Sequence, residues 1–351
     1  MKEQSEVRSQ KPEVSKVEHH RDAAIFDRLA PEWNDLVGRS LTNTPFQRAE
    51  FLAAWWRHFG HGDLCVLAMR DGAGSLIAIA PLFVDPAEGG VVRWVGGEEI
   101  ADYLDVIAPD DLMESATRAM WQWLNSPEAP AWKRLILSNT PEWTPTLRRL
   151  QAFATESGMS AEVTRLDVCP VIQLPRTFDA YLKQLDSKQR HEINRKLRKA
   201  QGSEDAVTWH VVDGGRDIAA EAEAFMALME TASADKAAFL TPRMRAAFRD
   251  IFAAMHRARL LQLAFLEVGG VKAAAYAQFN YANRIWVYNS GINPAIAGQL
   301  SPGWILLARL IEDAINTGHA VYDFMQGNED YKYRFGGKET FVNRLVVEKQ
   351  L

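Results

Sequence analysis

The segment SPGWILLARLIEDAINTGHAVYDFM, residues 301–325, holds a helix followed at once by a strand. Ser301-Pro302 is an N-cap and first-turn pairing, and Gly318 marks the stop. Between them Trp304, Ile305, Leu306, Leu307, Leu310, Ile311, Ala314 and Ile315 leave almost no polar face, so the helix is expected to be buried. VYDFM at 321–325 then reads as a strand with one carboxylate, Asp323, among apolar neighbours. The N-terminus of such a helix would point toward the same sheet end as the loop at 291–303, as a cradle for a phosphate or carbonyl or as a simple cap.

The same order of elements extends on both sides. Upstream lie helical segments at about 216–233 and 242–258 and strand-like runs at 260–268, 271–280 and 284–290. A final strand is expected at 341–348. The first part of the chain has helices at about 23–38 and 47–59 and strands at 64–69, 75–84, 91–95 and 102–107. A helix at 111–125, a strand at 133–138, a helix at 144–157 and a strand near 163–173 follow. Two helices, several antiparallel strands, a helix and closing strands thus occur twice, which points to a duplication in element order. The predicted layout is a polar, disordered tail at 1–21, an N-terminal domain at 22–165 and a C-terminal domain at 166–351.

Composition narrows the function. The 351 residues are 47% hydrophobic and 24% charged, with a net charge of −5, which argues against general DNA binding. Cys65 and Cys169 stand far apart and suit a reducing cytoplasm, and no metal-ligand spacing is present. No apolar run is long enough for a membrane span. Motifs for serine hydrolases, zinc proteases, P-loop and dinucleotide enzymes are all missing.

Two stretches carry charge with purpose. SKQRHEINRKLRKAQ, 187–201, is a helix capped by Asp186, with Gln189, Ile193, Leu197 and Ala200 on one face. Lys188, His191, Arg195, Arg198 and Lys199 gather opposite. It is either a solvated helix or a site for an anion. In QGNEDYKYRFGGKE, 326–339, Tyr331, Lys332 and Arg334 follow Asp323 closely. Asp323 is a cleft base, a surface residue, or half of an ion pair with a lysine or arginine. Asp102 and Asp105 of DYLDVI fall on opposite sides of their expected strand.

Taken together, TPFQRAEFLAAWWRHFG (44–60), DYLDVI (102–107), SKQRHEINRKLRKAQ (187–201) and SPGWILLARLIEDAINTGHAVYDFMQGNEDYKYRFG (301–336) resemble a known family. The chain is similar to GNAT-type acyltransferases of the cellulose-biosynthesis (CelD-like) group, related to the Fem peptidyltransferases. The resemblance covers about residues 23–348. It implies an α+β fold of two tandem GNAT-like domains with a cleft between them. It implies transfer of an acyl group, such as acetyl, from acyl-CoA to an amine or hydroxyl of a small-molecule or glycan acceptor, as in polysaccharide biosynthesis, without a metal. In the Fem-like alternative, aminoacyl-tRNA is the donor; a silent scaffold is the third reading.

The site residues implied are Asp323, Lys332, Tyr331 and Tyr288 for catalysis. Asn289, Ser290, Gly291, Gln299, Ser301 and Gly303 are implied for the donor, and Lys188, Arg190, Arg195, Arg198, Asp102, Tyr103 and Arg334 for the acceptor. One departure is visible. AGQLSPGW (297–304) does not hold the [QR]-x-x-G-x-[GA] spacing of a pyrophosphate loop, so acyl-CoA rests on the resemblance and not on a motif.

Overall fold

The computed structural model describes residues 13–213, 215–297 and 300–349. The first half supplies strands β1 (Lys16–His20), β2 (Asp63–Arg70), β3 (Leu76–Asp85), β4 (Val91–Trp94), β5 (Arg134–Pro141) and β6 (Ser160–Gln173). The second supplies β7 (Val207–Val211), β8 (Leu261–Val268), β9 (Val271–Tyr281), β10 (Arg284–Ile292), β11 (Val321–Asp323) and β12 (Lys338–Glu348). All join one sheet in the order β1-β2-β3-β4-β5-β12-β6-β11-β10-β9-β8-β7. The fold is mixed α+β, with two halves that repeat one order of strands.

Each half runs antiparallel through its first four strands and then makes one parallel pairing, β4 with β5 and β10 with β11. A parallel neighbour needs a crossover, and the helices Met113–Leu124 and Pro302–Asn316 provide it. The sixth strands are exchanged. β12, from the end of the chain, pairs with β5, while β6, from the first half, pairs with β11. The two exchanged strands also pair with each other along their full length. The expected domain boundary at 165/166 falls inside β6.

Burial explains which runs become strands. Leu76–Val84 of β3 is buried at every position, as an uninterrupted apolar run requires when both sheet faces are covered. Pro302–Asn316 is buried nearly all round beneath the second half. One apolar core unites the first half with the helices Ile218–Ala232 and Pro242–Arg257 of the second. A second core lies against the helices Phe178–Gln184, Ser187–Gln201 and Pro302–Asn316.

Three local expectations are corrected. Lys16–His20, expected in a disordered tail, is strand β1, paired with β2 and with His19 against Trp123 at 4.6 Å between ring centres. Residues 1–12 of that tail lie outside the described residues. DYLDVI is not a strand; its only bridge is Ile107 to Ile79. Its backbone is engaged singly instead. Leu104 N–H donates to Asn139 O (2.9 Å) and Asp105 N–H to the Gln47 side chain (3.1 Å). The loop after β11 contains a short helix, Asp330–Arg334, which its clustered tyrosines hide from any periodicity.

Candidate active site

β10 and β11 stay together for three residue pairs only, Arg284 with Val321, Ile285 with Tyr322 and Trp286 with Asp323. Beyond Asp323 the chain turns to β6, where Phe324 N–H donates to Pro170 O and Gly327 N–H to Val168 O. β10 runs on to Ile292 with no strand partner on that side among the described residues, and a bulge falls at Tyr288. The parallel pair therefore opens into a wedge, along which side chains take the place of a strand: Ser290 N–H donates to Asn289 Oδ1 at 2.8 Å, and the Ile292 carbonyl accepts from the Thr231 hydroxyl at 3.3 Å.

The wedge faces a polar cluster drawn from both halves. Asp323 is fully buried. It accepts from Tyr103 Oη at 3.1 Å, Arg284 Nη1 at 3.1 Å and Met325 N at 2.9 Å. Burial pushes its carboxyl above the ordinary range, and the Arg284 charge pulls it back. Asp323 is thus the ion-paired residue of the three alternatives, but its partner is Arg284 and not Lys332.

Asp102 is better placed for proton transfer. One oxygen accepts from Gln326 Nε2 at 2.7 Å, and the residue keeps some exposure. Burial raises its carboxyl to about 6; the Lys332 charge opposes that and Asp323 adds to it. The Tyr288 hydroxyl has no hydrogen-bond partner among the described residues. Burial first and the Asp102 charge second keep it well above the usual phenol range. Its ring is held by Phe279 at 5.0 Å and Phe248 at 5.6 Å.

Lys332 neither meets Asp323 nor faces an acceptor. It is buried, and its ammonium donates to the carbonyls of Gln326 (2.6 Å), Gly327 (3.1 Å) and Met325 (3.3 Å) and pairs with Glu329 at 2.9 Å. It locks the turn that holds Met325 at φ 62°, a left-handed conformation unusual for a side chain with a Cβ. Tyr331 packs against Phe324, and Arg334 lies in solvent paired with Asp330.

On the donor side, Asn289 and Ser290 are met by a residue the sequence did not single out. Lys236, in the helix Ala234–Phe239, donates to Asn289 Oδ1 (3.0 Å) and Ser290 O (2.5 Å). Burial lowers its pKa, with Glu329 opposing and Lys332 adding. Gly291 lies under the helix Ile218–Ala232, where a Cβ would come within 2.5 Å of Met229 N. Gly303 packs on Ile292. Ser301, at φ 58°, makes no side-chain cap; its hydroxyl accepts from Lys196 Nζ at 2.6 Å. Gln299 lies outside the described residues.

The basic helix Ser187–Gln201 therefore sits beside the start of Pro302–Asn316. Ile193 and Leu197 bury its apolar stripe. Lys188, Arg195 and Arg198 are exposed, Arg190 is half-buried, and Arg195 is forked onto Glu192 at 2.8 Å. Tyr103 is fully buried between Trp143 and Trp286 and reaches no solvent.

Residues 187–333 match the acetyltransferase (GNAT) domain family. No curated protein matches the chain by sequence. Among solved structures, FemX is similar at 9% identity, with a TM-score of 0.66 over 94% of this chain and 96% of that one. The C-terminal domain of a putative lysylphosphatidylglycerol synthetase from Agrobacterium fabrum follows at 13%, TM-score 0.55, covering 93% of each chain. L-PGS from Bacillus licheniformis is similar at 10%, TM-score 0.51, over 85% of this chain and 90% of that one. At such identities the likeness is one of fold. No described helix is long and apolar enough to cross a membrane, and no described cluster of side chains could hold a metal ion.

Proposed function

We propose that the chain is an acyltransferase that takes an acyl group from acyl-CoA in the second half and delivers it to an amine or hydroxyl across the central cleft. The observation that carries this is the wedge between β10 and β11, with its bulge at Tyr288, inside the stretch that matches the GNAT domain. The Ser290 N–H, once released by the Asn289 side chain, can hold a carbonyl oxygen as negative charge develops on it. Asp102, with a carboxyl near 6 and one oxygen uncommitted to Gln326, takes the proton from the acceptor. Asp323 acts as a positioning residue, tying Tyr103 of the first half to Arg284 of the second.

The residues present suit the donor despite the missing loop motif. In the opening turn of Pro302–Asn316 the Trp304 and Ile305 N–H groups donate to Ser301 O and Pro302 carries none, so Gly303 N–H is the backbone donor offered to a phosphate there. Lys196 at Ser301 and the exposed Lys188 and Arg198 add positive charge for phosphates. In this reading residues 22–165 and 166–351 form the two domains, the second holds the donor and the first contributes Asp102, and Cys65 and Cys169, both free thiols, suit the cytoplasm. The finer placement within the cellulose-biosynthesis (CelD-like) group rests on the sequence resemblance.

The test is calorimetry with acetyl-CoA. Saturable binding is expected, weakened about tenfold by Lys196→Met, the worth of one charge-assisted contact of about 1.4 kcal/mol. Absence of both heat and thermal protection would overturn the donor assignment. The FemX-like fold gives a second reading, an aminoacyl-tRNA donor on the same basic helix. It requires strongly salt-dependent tRNA binding in place of acetyl-CoA binding.

A further inference from the structure

The β10 arm of the wedge holds an oxygen that already has the partners an acyl carbonyl would need. Asn289 Oδ1 accepts from Ser290 N–H at 2.8 Å and from Lys236 Nζ at 3.0 Å. It is an amide oxygen, planar like the carbonyl of a thioester. The nitrogen of the same carboxamide makes no hydrogen bond among the described residues, so those two donors are what holds the side chain there. Rotation about its own side-chain bonds takes Asn289 away without moving the strand. It leaves one backbone N–H and one ammonium converging on a single point.

Lys236 is fixed at both ends. Its N–H donates to the Ser233 hydroxyl at 3.2 Å, the cap of the helix Ala234–Phe239, and its ammonium is tied also to Ser290 O. That ammonium is half-buried and meets no carboxylate at ion-pair distance among the described residues; its acceptors are the neutral oxygens of Asn289 and Ser290. Glu329, the acidic group that acts on it from further off, is taken by Lys332. A desolvated cation with neutral partners alone lacks its counter-charge, and an anion brought to it is stabilised. The other lysines of the site are engaged differently. Lys332 is enclosed by three carbonyls and Glu329, and Lys196 meets Glu192 and Ser301.

We infer that Lys236 is a catalytic residue: its ammonium and the Ser290 N–H together form the oxyanion site of the transfer, and Asn289 Oδ1 stands where the acyl oxygen goes. The assignment rests on the acyl-CoA reading above. The acceptor nitrogen attacks the thioester carbon, the C=O π pair moves onto oxygen, and the oxyanion lies between the two donors. On collapse the pair returns, the C–S bond breaks and CoA leaves as a thiolate, which takes a proton from solvent. The proton of the amine goes to Asp102. One donor to such an oxyanion is worth about 10²–10³ in kcat. A charged donor forms the stronger kind of hydrogen bond.

The experiment is infrared difference spectroscopy of acetyl-CoA, labelled with carbon-13 at the acetyl carbonyl, bound to the full chain. An oxygen held by an ammonium and an N–H is polarised, so the bound carbonyl band should lie below that of free acetyl-CoA. It should return most of the way in Lys236→Met and keep part of its shift in Lys236→Arg. A lysine that only braced the strand would leave the band in place when replaced. A second measurement does not depend on those variants. Calorimetry with Asn289→Ala should show acetyl-CoA bound about fivefold more tightly than by the parent, because the resident oxygen no longer competes. A bound band at the free position, or one unmoved by Lys236→Met, overturns the inference and leaves the donor reading standing. So does weaker binding by Asn289→Ala, which would make Asn289 a contact of the donor. Failure of the parent to bind acetyl-CoA overturns the donor reading and this assignment with it.

Discussion

Replacing Lys332 by methionine keeps most of the side chain's length and removes its charge. The ammonium is nearly inaccessible and serves three carbonyls and Glu329. Glu329 is more than half exposed and returns to water at little cost. The carbonyls differ. That of Met325 is buried with its bond and has no route to solvent, so its loss costs about 1–3 kcal/mol; those of Gln326 and Gly327 are part-buried and recover some hydration. The left-handed conformation of Met325 is present in the parent as well and adds nothing to the difference. The three carbonyls together give a loss of about 2–4 kcal/mol. Unfolding entropy of about 2.1 cal/mol/K per residue over 351 residues is about 0.7 kcal/mol/K, so Tm should fall by about 4 °C. Scanning calorimetry at pH 7 measures it. A Tm within about 1 °C of the parent would refute the clamp and return Lys332 to a purely catalytic role.

Three further outcomes follow from the geometry of the site. If Asp102 is the base, it must be ionised to act. The transfer rate with acetyl-CoA and an amine acceptor should then be flat above about pH 6 and fall tenfold per unit below it, and Asp102→Asn should abolish that limb. The same raised carboxyl has a converse effect on stability. Its contribution is present below the ordinary value of 3.8 and fades as pH rises through about 6, a trend that urea denaturation across that window would lose in the Asp102→Asn variant. Gly291→Ala drives a methyl to within 2.5 Å of helix backbone at Met229, an overpacking cost of about 2 kcal/mol. An unchanged urea midpoint would show that the strand and helix can part freely there.

Much of the fold was legible because burial leaves a plain pattern. The all-round apolar helix at 302–316, the continuous run of β3 and the repeated element order each follow from the local sequence. Partners distant along the chain were not legible. Nothing in VYDFM names Arg284 as the counter-ion of Asp323, because the parallel pairing that joins them is fixed by a crossover helix. DYLDVI alternates like a strand, yet its hydrogen bonds go singly to β5, β3 and Gln47. Lys236 sits in an ordinary six-residue helix, and no spacing marks it. Lys196 offered a signal: at 100° per residue it flanks Gln189 and Ile193 at the edge of the apolar stripe, so of the helix's cations it is turned toward the protein.

The exchange of β6 and β12 bears on how the chain is made. On the ribosome the first half emerges with its own helices and five strands, but the edge of β5 waits for a strand that is translated only after β7–β11. Until then β5 and β6 present open hydrogen-bonding edges, the kind of surface that recruits other chains. The final eleven residues of the sheet therefore close both halves in a single event. Loss of β12 would leave not merely a shortened second half but an opened first one, so damage late in the chain is felt early in it.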